Sequence, residues 1–99
     1  MGKLKLTEWD VVEHLESDAD MALYLEAAFE EAGDDSALIT KVLGNIARAR
    51  GMSQLARDTG MERKSLYKAL SGQGKPSFAT ILKVIRALGL KLHAEIAHA

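Results

Sequence analysis

Residues 52–72 read MSQLARDTGMERKSLYKALSG, and this stretch decides the fold. Two short helical units, SQLARDT and ERKSLYKALS, are separated only by Gly60 and Met61. Helices that short and that tightly joined cannot lie antiparallel, so they cross steeply, as in a helix-turn-helix. Ala56 is small where the first helix meets the second, and Gly60 allows the left-handed backbone of the sharp turn. Leu55, Met61, Leu66 and Ala69 or Leu70 supply an apolar underside. Arg63, Lys64, Tyr67 and Lys68 then project from the opposite face of the second helix, and three of the four are cationic. In this geometry that face enters a DNA major groove, where arginine and lysine meet guanine edges and phosphates.

The flanking sequence extends the helical pattern in both directions. Upstream, SALITKVLGNIARARG (36–51) places Leu38, Ile39, Val42, Leu43, Ile46 and Ala47 at helical spacing, with Gly51 as a stop. Gly44 inside that pattern costs about 1 kcal/mol relative to alanine, so close packing against a neighbouring helix is expected there. Further upstream, SDADMALYLEAAFEEAG (17–33) has Ser17 as cap, acids in its first turn, and Gly33 as a stop. Its apolar set is Met21, Leu23, Tyr24, Leu25, Ala28 and Phe29, with Tyr24 and Phe29 expected in the core. TEWDVVEHL (7–15) suggests one shorter helix or ordered turn, whose Trp9 is also expected in the core.

Downstream, SGQGKP marks a loop, and Ser77 caps FATILKVIRALG (78–89), whose Phe78, Ile81, Leu82, Ile85 and Leu88 recur at steps of three and four. The period then changes to two: Leu90, Leu92, Ala94 and Ile96 alternate with Lys91, His93, Glu95 and Ala97, which predicts one half-buried strand. A lone strand in a helical chain finds its partner in the same strand of a second copy, pairing about a twofold axis, or else tucks against its own domain. A chain this short buries only about two-thirds of its unfolded surface, so an added interface helps it.

Across all 99 residues the formal charge is -1, with 47% hydrophobic and 27% charged side chains. That charge is a cancellation. Residues 1–35 hold two lysines against eleven acids, a net of -9, whereas residues 36–99 hold eleven Lys/Arg against Asp58, Glu62 and Glu95, a net of +8. The division suggests an acidic N-terminal helical extension (1–35) packed on a DNA-binding domain (36–99) suited to a polyanion. The acidic helix reads either as a solvated face or as a docking surface for a basic protein.

Other classes find no support in the residues. No cysteine is present, so there is no disulfide framework, thiolate zinc site or thiol nucleophile, and a reducing cytoplasm is the default. No apolar run is long enough for a signal segment or a membrane span. His14, His93 and His98 lack metal-ligand spacing, and SGQGKPS lacks the spacing and preceding strand of a P-loop. The expectation is a protein that is not an enzyme and needs no metal or cofactor.

LARDTGMERKSLYKAL resembles the helix-turn-helix of Cro-type phage repressors. The longer run from Leu43 to Leu92 is similar to the antidote (antitoxin) proteins of HigA type in bacterial addiction modules, through IARARGM, LYKALS, the G-x-P loop and VIRALGL. It covers about half the chain, and YLEAAFEEAGD near the N-terminus is similar as well. The resemblance implies an all-α, lambda-repressor-like fold of five to six helices. It also implies a homodimer that represses its own operon at a palindromic DNA operator and neutralises a small basic RelE/ParE-like toxin. A stand-alone phage-type regulator without a toxin is the alternative. One departure is Glu62, where similar sequences place a serine or threonine cap. Its carboxylate still suits the positive end of the helix dipole, and could accept from a cytosine amino group.

The expected DNA-binding set is Arg63, Lys64, Tyr67 and Lys68 with Glu62 on the second helix, Ser53 and Gln54 at the start of the first, and Ser71, Lys75 and Ser77 in the following loop. The expected dimer interface is Leu90, Leu92, Ala94 and Ile96.

Overall fold

The computed structural model describes residues 14–97, so the expected helix over 7–15, with Trp9, lies outside the described residues except for its last two positions. Five helices follow: α1 (Asp18–Ala32), α2 (Ser36–Arg50), α3 (Met52–Thr59), α4 (Arg63–Ala69) and α5 (Phe78–Ala87). Local chemistry sets their ends. Ser17 accepts from the Asp20 N–H while the Asp20 carboxylate accepts from the Ser17 N–H, a reciprocal capping box. Asp35 caps α2 through the Leu38 N–H, and Ser77 caps α5 through the Thr80 N–H.

The core lies where α2, α3, α4 and α5 converge, with Leu43, Ile46, Leu55, Leu66, Val84, Ile85 and Leu88 almost wholly excluded from water. Truncating one such leucine to alanine costs about 2–5 kcal/mol. Helix α1 lies against α2 and buries Met21, Leu25 and Ala28, at steps of four and three. Leu23, two residues out of phase with that stripe, and Phe29, on its flank, are exposed. Phe29 is therefore not a core residue, whereas Tyr24 is half-buried and its hydroxyl accepts from Asn45 Nδ2 at 2.9 Å.

Polar links also join the elements. Asn45, itself buried, receives Arg48 on its side-chain oxygen as it donates to Tyr24, so both ends of its amide are satisfied. Arg50 at the end of α2 pairs with Asp18 at the start of α1 and donates to the Leu88 carbonyl at 3.0 Å. It thereby ties α1, α2 and the end of α5 together.

Gly44 meets the expectation of close packing: a Cβ there would stand 2.5 Å from the Leu70 carbonyl oxygen at the end of α4. Gly60 adopts the left-handed conformation (φ 73°, ψ 15°). Its N–H donates to the Arg57 carbonyl and the Met61 N–H to the Ala56 carbonyl, a Schellman closure that turns the chain sharply into α4.

The C-terminal strand is not formed. After α5 the Gly89 N–H donates to Arg86 and the Leu90 N–H to Ile85, a second Schellman closure in which half-buried Leu90 folds back onto the core. Leu90 belongs to a helix terminus, and residues 91–97 are exposed without regular structure. Alternation supplies a face but no hydrogen-bond partner, and no strand stands among the described residues to provide one.

Candidate nucleic-acid interface

Helix α4 is seven residues long and divides by side. Leu66 is completely buried and Leu70, just past its end, nearly so, which fixes the helix on α2 and α3. Arg63, Lys64, Tyr67 and Lys68 are all exposed, and their spacing puts them on one side of the helix. The Arg63 guanidinium lies over the Tyr67 ring, 5.5 Å from its centroid, with Nη2 3.4 Å from the Tyr67 hydroxyl. This contact orients Arg63 through an exposed cation–π attraction of about 0.5–1 kcal/mol, which the lost rotamer freedom of the side chain offsets. Arg63, Lys64 and Lys68 form no ion pair among the described residues, so their charge faces solvent uncompensated.

Glu62 precedes α4 in extended conformation and makes no side-chain capping bond. The first N–H groups of this helix therefore have no partner from Glu62, although the carboxylate stands near the positive end of the dipole.

Helix α3 starts one residue before the expected Ser53, with Gly51 as an N-terminal cap that has no side chain to offer. Ser53 and Gln54 are exposed in its first turn. Gln54 is already engaged: Nε2 donates to Asp58 Oδ1 at 2.8 Å, and its carbonyl oxygen accepts from Arg57 Nη2 at 2.9 Å. Arg57, which the sequence reading passed over, thus shares the exposed surface of α3 with Gln54. The signal was its position three residues on, one helical turn along the same side.

The loop after α4 gives a mixed outcome. Lys75 is exposed. Ser71 donates to the Lys68 carbonyl at 3.0 Å and accepts from the Gln73 N–H, so it closes the helix. Ser77 is occupied in capping α5 and in a 3.0 Å bond with Thr80 Oγ1. Gly74 packs on the same helix end: a Cβ would stand 2.9 Å from the Lys68 carbonyl oxygen. The structure therefore gathers Arg63, Lys64, Tyr67 and Lys68 on one exposed face and assigns local structural bonds to Ser71, Ser77 and Gln54. Leu92, Ala94 and Ile96 are exposed on the tail, apart from half-buried Leu90.

Among the described residues there is no group of three or more His, Cys, Asp or Glu side chains placed to hold a metal, and no helix long and apolar enough to cross a membrane.

Comparison with known proteins places the chain in a family. A family model described as "Probable addiction module antidote protein" matches residues 5–96. An uncharacterised protein of Haemophilus influenzae is 50% identical over 91 residues, covering 92% of each chain. No solved structure matches the chain. An antidote implies a toxin to neutralise, and the match spans the acidic N-terminal helix as well as the basic face of α4. The chain belongs to the family of probable addiction module antidote proteins.

Proposed function

We propose that this chain is a DNA-binding antitoxin of HigA type, in which α3 and α4 form a Cro-type helix-turn-helix and α4 is the recognition helix. The observation that carries this reading is the two-sidedness of α4: Leu66 wholly buried, Arg63, Lys64 and Lys68 exposed with no ion partner among the described residues. Apolar anchoring makes the helix a rigid mount, and uncompensated cations are what a phosphate backbone and guanine edges recruit. The Schellman turn at Gly60 supplies the sharp bend such a motif requires.

In this reading the protein acts by binding rather than catalysis, in the cytoplasm, as a homodimer. Two recognition helices one DNA turn apart, about 34 Å, occupy a palindromic operator and cover the promoter of the protein's own operon. The exposed tail with Leu92 and Ile96 is available to the second copy. A small, basic RelE/ParE-like toxin is held away from α4, through surfaces that include the acidic N-terminal helix.

The test is co-expression with the neighbouring open reading frame, together with footprinting of the DNA upstream of the gene. Rescue of growth and a protected palindrome are expected. Protection without a toxic neighbour would make the protein a stand-alone regulator, and toxin rescue without protection would remove the DNA-binding half of the proposal.

A further inference from the structure

We propose that the outward side of α1, formed by Leu23, Glu26, Phe29 and Glu30, is the surface on which the basic protein partner docks, with Leu23 and Phe29 as its apolar anchors. This deepens the antitoxin reading and rests on it. The inward stripe of α1 is complete without these residues, since Met21, Leu25 and Ala28 already cover α2. Leu23 is 66% exposed and Phe29 46% exposed, and Glu26 stands between them in a row of steps of three. The exposed parts of Leu23 and Phe29 cost solubility, whereas a partner groove turns the same area into binding energy.

The charges select the occupant. Helix α1 contains no lysine or arginine. Asp18 is paired with Arg50 and Asp20 is held in the capping box, but Glu26 and Glu30 have no ion partner among the described residues. DNA is repelled by such a face, and a second copy would bring the same acids against their own kind. A protein groove with apolar pockets ringed by lysine and arginine matches it in both respects. An antidote has to hold such a partner somewhere, and α4 is committed by its sign to a polyanion.

The experiment measures binding of the full chain to the protein encoded by the adjacent gene, by titration calorimetry and by association kinetics at several salt concentrations. Two variants are used: Leu23→Ala with Phe29→Ala, and Glu26→Lys with Glu30→Lys. Both pairs are on the exposed side, so helical circular dichroism and DNA mobility shift should match the unaltered chain. The alanine pair is expected to weaken partner binding about tenfold or more, mostly through faster dissociation. The lysine pair is expected to slow association and flatten its salt dependence. Binding within about twofold of the unaltered chain for both variants would overturn the assigned surface while leaving the antitoxin reading intact. If the neighbour binds neither the unaltered chain nor the variants, the antitoxin reading itself fails. A change in self-association of the alanine pair by sedimentation would make a second copy the occupant and refute the basic partner.

Discussion

Gly44 lets the end of α4 approach the backbone of α2 closely. The methyl it lacks would stand 2.5 Å from the Leu70 carbonyl oxygen, closer than real Cβ contacts come, and the obstacle is backbone rather than a flexible side chain. Because Leu70 closes α4, this contact sets how deeply the basic helix sits on α2. Gly44→Ala gains about 1 kcal/mol of helix propensity but forces a backbone shift that costs about 1–3 kcal/mol. A lower urea midpoint is expected, with a net loss on the order of 1 kcal/mol; a raised midpoint would show that α4 can move away freely. Glu62 makes the opposite case. It occupies the cap of α4 without a capping bond. Glu62→Ser is therefore expected to stabilise the fold by about 0.5–1 kcal/mol in denaturant titration, and a loss of stability would mean that the carboxylate is held by the helix dipole more strongly than a hydroxyl bond replaces.

Helices and their caps were legible wherever a local rule decides the outcome. Ser17, Gly60 and Ser77 do what their residue types do at helix ends, and the stripe Met21, Leu25, Ala28 follows the helical period. Two readings failed for lack of nonlocal information. Phe29 is expected in the core from its apolar type alone, but its phase carries it to the flank of the buried stripe, where it is exposed. The alternation from Leu90 to Ile96 gave a face without a partner, and the Gly89–Leu90 pair, a glycine followed by an apolar residue after a helix, was the sign of a Schellman closure instead. Ending the chain after Leu90 keeps that closure. If the exposed tail joins two copies, sedimentation of the shortened protein will show a monomer with its helical signal retained; a persisting dimer would place the interface elsewhere.

Across the molecule, the charge of -1 separates into acidic and basic parts that the fold joins through Arg50, which reaches Asp18 at the start of α1 and the Leu88 carbonyl beyond α5. Not every cation in the basic part is therefore free to meet DNA. The face of α4 was readable because helical spacing alone collects positions 63, 64, 67 and 68 once Leu66 is known to point inward. Ser71 and Ser77 were less readable, since a loop hydroxyl can face a phosphate or its own backbone, and the path of the loop makes that choice. The most direct measurement is a fluorescence-anisotropy titration of DNA from upstream of the gene, at several salt concentrations, with the unaltered protein and with Arg63→Ala, Lys64→Ala and Lys68→Ala combined. The unaltered protein is expected to bind with steep salt dependence, and the triple variant to lose about a hundredfold in affinity and about one unit of salt slope per phosphate contact removed, with its helical signal unchanged. Equal affinity and equal slope for the two proteins would contradict the assignment of α4 as the DNA-reading helix.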